Sequence, residues 1–73
     1  MKGQIKVYSQ KHGWGFITGA DFKDYYFHVS SFIEKIEKNK EIPKGKNVDF
    51  DLETQVNRRT QENQTVCKNI SFD

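Results

Sequence analysis

The sequence predicts an all-β domain: five short antiparallel strands closing into a small Greek-key barrel, with at most one short helical turn after the third strand. Three observations carry that reading. The stretches Trp14-Gly15-Phe16-Ile17 and Tyr25-Tyr26-Phe27-His28 put unlike sets of residues on their two faces when read with period two, as strands do. Val48, Phe50 and Leu52 alternate with Asp49 and Asp51, the pattern of a strand wet on one side. And no stretch has the length and 3.6-residue period of packed crossover helices, which excludes α/β layering.

The elements follow in order. Lys2 to Tyr8 reads as the first strand, with Ile5 and Val7 on one face and Lys6 and Tyr8 on the other. Ser9 to Gly13 is a turn in which Gly13 is free to take a positive φ. Trp14 to Thr18 is the second strand. Gly15 lies there between two aromatics, where the missing side chain admits the close approach of a backbone or a ligand. Gly19 to Lys23 connects to the third strand, Asp24 to His28. Val29, Phe32, Ile33 and Ile36 then fall at i, i+3, i+4 and i+7, and Ser31 precedes Glu34 by three residues as in a capping box. One or two turns of helix are expected there, docked by Phe32 and Ile36. Glu37 to Lys46 is charge-rich, contains the only proline, and reads as a surface loop. Asn47 to Thr54 is the fourth strand, Gln55 to Gln64 a polar hairpin loop, and Thr65 to Phe72 the fifth strand, with Val66, Cys67 and Ile70 offered to the core. Five antiparallel strands in so short a chain can close as a Greek-key barrel of the OB type or as a more open SH3-like barrel; closure removes edges that invite aggregation.

With 73 residues the chain makes one domain, 1–73. A chain of this size buries only about 60% of its unfolded surface, so its core must be thin. The apolar runs are a few residues long, against the ~20 that cross a bilayer, and no N-terminal apolar segment has the form of a signal peptide. A single cysteine, Cys67, cannot form an internal disulfide, so a reducing compartment, the cytoplasm, is expected. The net charge of +2 is small, but its placement is uneven. Met1 to Ala20 holds three lysines and no carboxylate; Asn47 to Asn57 holds Asp49, Asp51 and Glu53 and no cation. A polyanion would meet the former.

If the second and third strands lie side by side, Trp14, Phe16, Tyr26 and His28 form one aromatic field, with Lys6, Tyr8, Lys11 and His12 close by in sequence. Flat rings surrounded by cations suit the stacking of unpaired nucleobases and the contact of phosphates. Because Ile17 and Phe27 already supply the inward residues of those strands, the rings are expected outside. Arg58 and Arg59 are candidates to extend the groove. No metal or other cofactor is expected: Cys67, His12 and His28 stand at no metal-ligand spacing. Nor does any carboxylate pair or nucleophile–histidine arrangement fall on the predicted face, so catalysis is not expected.

The residues resemble those of the cold-shock domain family along nearly the whole chain. His12-Gly13-Trp14-Gly15-Phe16-Ile17 is similar to the family's first ribonucleoprotein motif, usually Lys-Gly-Phe-Gly-Phe-Ile. Asp24-Tyr25-Tyr26-Phe27-His28-Val29-Ser30 is similar to the second, usually Asp-Val-Phe-Val-His-Phe-Ser. Gly3-Gln4-Ile5-Lys6-Val7-Tyr8, Pro43-Lys44-Gly45-Lys46-Asn47-Val48-Asp49-Phe50 and Cys67-Lys68-Asn69-Ile70 resemble the opening, the run before the fourth strand and the close. The resemblance implies an OB-fold barrel that binds single-stranded RNA or DNA with little sequence preference. It implies an RNA chaperone or a regulator of transcription or translation. Carried over position by position, the binding set is Lys6, Val7, Tyr8, Trp14, Phe16, Tyr26, His28 and Val29. Three positions depart from the family: Val7 replaces a tryptophan, Val29 a phenylalanine, and His12 a lysine. The implied partner is single-stranded nucleic acid, with no membrane, no small-molecule substrate, and a monomeric protein. The competing expectation is a β-barrel protein-interaction module, whose binding would not weaken log-linearly with salt.

Overall fold

The computed structural model describes residues 1–73. Five strands, β1 (Lys2–Ser9), β2 (Trp14–Gly19), β3 (Asp24–His28), β4 (Asn47–Val56) and β5 (Asn63–Phe72), close into a barrel in the order β1-β2-β3-β5-β4. The β1–β2, β2–β3, β4–β5 and β1–β4 seams are antiparallel. The remaining seam, between β3 and β5, is parallel and consists of one residue pair, Tyr26 with Val66. The sheet is therefore not antiparallel throughout: a Greek-key path that returns β5 beside β3 leaves these two strands pointing the same way.

Alternation fills the core as expected on β2, β3 and β4. Ile17, Phe27, Val48 and Phe50 point inward and are at most 1% exposed. They are joined by Ile5 from β1 and by Cys67 and Ile70 from β5. Only 14 of the 73 residues are buried, so each inward side chain carries a large share of the stability. Burial raises the pKa of the Cys67 thiol to about 12.

On β1 the alternation breaks. Ile5 pairs with Ile17 but Val7 pairs with Phe16, so two steps on β1 match one on β2. Lys6 is the extra residue of a β-bulge, which reverses the facing of everything after it. Val7 therefore does not share the inner face with Ile5. It is 48% exposed, and Tyr8 turns inward to stack on Phe27 with ring centroids 5.9 Å apart. At Gly15 the close neighbour is this strand: a Cβ there would lie 2.1 Å from the Val7 carbonyl oxygen, so only glycine fits.

The expected helix over Val29–Ile36 shrinks to one 3-10 turn, Val29–Ser31, capped by His28 rather than begun at Ser31. Its C-cap Phe32 is already extended and makes a parallel bridge to Ile70, and Ile33 N–H donates to the Ile70 carbonyl. The apolar spacing that suggested a helix instead serves separate ends: Val29 and Phe32 are buried, Ile36 rests against the core, and Ile33 is exposed. The segment from Glu37 to Lys46 has no helix or strand, as expected, but Ile42 within it is buried and completes the core. The β4–β5 connection is tighter than the sequence suggested, with pairing that runs out to Val56 and Asn63.

Candidate nucleic-acid interface

β2 and β3 set the geometry of the aromatic field. Trp14 pairs with His28 and Phe16 with Tyr26, so the four side chains form two cross-strand pairs on the outer face. Trp14, Phe16 and Tyr26 are half-buried, and His28 is exposed. Trp14 and Phe16 meet edge to face with centroids 5.8 Å apart, and Phe16 meets Tyr26 in the same manner at 6.2 Å. Trp14 and Tyr26 lie 6.1 Å apart at 34°. Edge-to-face contacts hold the rings in place while leaving faces toward solvent. His12, from the β1–β2 turn, lies nearly parallel to Trp14 at 6.3 Å and extends the field by one ring.

His28 has a fixed tautomer. Ser30 N–H donates to its Nδ1 at 3.1 Å, so in the neutral ring Nε2 carries the hydrogen and can donate outward. The bond also caps the 3-10 turn, so the local fold and the orientation of the imidazole are one device.

The basic side chains are less uniform than the sequence implied. Lys11 and His12 are exposed in the turn beside Trp14, and neither enters an ion pair. Lys6 does: its Nζ lies 2.5 Å from Asp24 Oδ2. Strand pairing thus inserts a carboxylate into what looked like a carboxylate-free cluster. The Lys6 ammonium, and next the Thr18 hydroxyl, hold the Asp24 carboxyl below the usual carboxylate range. Lys6 can meet a phosphate only by sharing or leaving Asp24.

Val7 joins the exposed face beside Phe16 through the bulge. Tyr8 does not join as a free ring, because its face is stacked on Phe27 and its hydroxyl donates to the Lys38 carbonyl at 2.7 Å. Partial burial raises the Tyr8 pKa. Val29 must be withdrawn from the interface: it is 6% exposed and belongs to the core cluster, because the 3-10 turn rotates it under the sheet. Arg58 and Arg59 are exposed in the turn between β4 and β5, and no ring or ion-pair contact joins them to the aromatic field.

One residue escaped sequence reasoning. A Cβ built on Gly13 would meet Lys38 Cγ at 2.7 Å and His28 Nε2 at 3.5 Å. The Lys38 stem therefore lies across the turn that opens β2, at the rim of the rings. Nothing in the local sequence, one lysine among several in a charged loop, could have signalled this.

A closed five-stranded barrel with conjugated rings on its outer face and an unpaired lysine at their edge defines a class, the small nucleic-acid-binding β-barrels. The comparison with known families agrees and is more specific: the model of the 'Cold-shock' DNA-binding domain matches residues 1–68. The chain belongs to that family. Cold shock-like protein CspC of Escherichia coli K12 is 39% identical over 56 residues, an alignment taking in 73% of this chain and 75% of that protein. The proteins of the same name from Salmonella typhi and Buchnera aphidicola match to the same degree. The function that follows is nucleic-acid binding. No helix of the structure is long and apolar enough to cross a membrane.

Proposed function

We propose that residues 1–73 act as a single binding domain for single-stranded RNA or DNA, with little sequence preference and no catalytic step. The observation that carries this reading is the outward, cross-registered set Trp14, Phe16, Tyr26 and His28. Stacking on such rings contributes roughly 1–3 kcal/mol per base and tolerates any base, since each has a π-face. Bases of a duplex are already stacked and paired, so the rings favour the open strand. Binding one state and not the other shifts the equilibrium by mass action, with no need for ATP. Lys11 and His12 meet phosphates at the Trp14 end, and Lys6 does so in exchange for Asp24. Arg58 and Arg59 would reach a longer strand. A monomer in the cytoplasm, acting as an RNA chaperone or a regulator of transcription or translation, fits this chemistry and the family, with neither a membrane nor a small-molecule substrate involved.

Trp14 is the only tryptophan and stands in the site, so its fluorescence measures occupancy directly. Titration with oligo-dT and oligo-U should quench it. The log of the affinity should fall linearly with the log of salt, by about 0.7 for each phosphate neutralised. Quenching by neither oligonucleotide, or binding indifferent to salt, would overturn the proposal; the latter is the behaviour of an apolar peptide interface.

A further inference from the structure

Midway along its course, the long connection between the 3-10 turn and β4 is fastened to the barrel by two neighbouring carbonyls. Tyr8 Oη donates to the Lys38 carbonyl at 2.7 Å, and Gln10 Nε2 donates to the next carbonyl, that of Asn39, at 2.9 Å. Both donors come from β1 and the turn that follows it. From the fastened backbone the Lys38 side chain runs to Gly13. Its methylenes pass over Gly13, which has no Cβ and takes φ +77°, and any larger residue there would collide with them. The His28 ring borders the same point. A local turn, in which Lys40 N–H donates to the Glu37 carbonyl at 3.0 Å, shapes the tip that carries Lys38.

The charge at the end of that stem is unengaged. Glu34, Glu37 and Glu41 share the loop, yet no ion pair involves Lys38. Lys6, by contrast, is held by Asp24. One of the cations that the sequence put near the rings is thus partly neutralised, and the stem of an unpaired one from a distant loop crosses the turn that opens β2.

We infer that Lys38 is a phosphate-contacting residue of the interface, and that Tyr8 serves it as a latch, not as a stacking platform. This rests on the reading of the face as a site for single strands. The Tyr8 hydroxyl and the Gln10 amide fix the backbone of residues 38 and 39, and Gly13 gives the stem a channel that His28 also borders, from which the ammonium can reach the edge of the rings. There it faces a strand whose bases lie on Trp14 and His28. A latched lysine loses less freedom on binding than a free one, because part of its ordering is already done in the empty protein.

The test is a salt series of oligo-dT titrations, followed by Trp14 quenching, on Lys38→Gln, Tyr8→Phe, the double variant and Lys40→Gln. Thermal melts check that each is folded. Lys38→Gln should quench to the wild-type extent at saturation but with a salt slope shallower by about 0.7, so its deficit against wild type shrinks about 2.6-fold between 50 and 200 mM salt. Tyr8→Phe keeps the ring and loses only the latch; it should lower the slope in part, and the double variant should bind no more weakly than Lys38→Gln. Lys40→Gln, on the same loop, should keep the wild-type slope. An unchanged slope in Lys38→Gln, or an equal loss in Lys40→Gln, overturns the assignment of Lys38. Additive losses in the double variant overturn the latch. Failure of the wild type itself to bind would instead sink the single-strand reading, so the two failures are distinguishable.

Discussion

The outer surfaces of β2–β3 and of β4 are built by the same rule and loaded in opposite ways. Both alternate, and both send their inward residues into one shared core: Ile17 and Phe27 from the first pair, Val48 and Phe50 from the second. Outward, β2 and β3 present Trp14, Phe16 and Tyr26, whereas β4 presents Asp49, Asp51 and Glu53. The carboxylates of β4 are partly occupied with the chain's own cations, since Asp49 lies 3.8 Å from Lys2 Nζ and 3.5 Å from the N-terminal ammonium. The inner half of each strand therefore specifies the barrel, and the outer half decides which side of it a polyanion can approach.

The sharpest way to break that division is to substitute one residue from each half of adjacent strands. Phe27→Ala, from the inner half, should cost about 3–5 kcal/mol of stability, a large part of what so small a domain has, and chemical denaturation would measure it. Phe16→Ala, from the outer half, should cost less, about 1–3 kcal/mol for its two edge-to-face contacts, while binding falls. If Phe16→Ala unfolds the protein as Phe27→Ala does, the rings are structural and the division fails. Trp14→Ala should weaken oligonucleotide binding by about 5- to 150-fold, read by the anisotropy of a labelled oligo-U because the indole is gone.

Smaller effects sharpen the contrast. The Asp24 carboxyl is held low by Lys6, so it stabilises the fold above the pKa of an unfolded aspartate, about 3.9, and that share is lost as pH falls through the lowered native value. Melts between pH 5 and pH 2 should show Asp24→Asn losing less of its melting temperature than wild type. Asp21, held low chiefly by the Tyr25 hydroxyl, contributes equally to both proteins. Equal losses would mean that the ion pair does not contribute. Least of all, Glu53→Gln on the carboxylate side should leave affinity unchanged or slightly tighter, and a marked loss would place the ligand on the wrong face.

Strand alternation made most of this legible before any coordinates. Where the chain pairs without irregularity, as at Trp14–Ile17 with Tyr25–His28, reading every second residue identifies both the core and the outward-facing, half-buried rings. The misses have particular causes. The bulge at Lys6 leaves no local mark, because Ile5, Lys6, Val7 and Tyr8 alternate correctly as letters and only the pairing with β2 reveals the extra residue. Val29 and Phe32 fall at helical spacing by coincidence, since Phe32 leaves the turn to bridge Ile70. Ile42 is a lone apolar residue in a polar run and has no period to betray its burial. Lys6 with Asp24, and Tyr8 with Lys38, join residues 18 and 30 positions apart, which no window of sequence can connect.

The sulfur of Cys67 gives the barrel a second reporter. Walled in at 1% exposure and protonated up to a pKa of about 12, it cannot meet an alkylating reagent while the strands are closed. Its labelling rate therefore counts how often the barrel comes apart, just as the indole, on the proposed function, counts how often the face is filled. A strand lying across β2 and β3 must slow that clock by the factor 1 + [L]/Kd, so an affinity measured by light at one residue can be checked by chemistry at another.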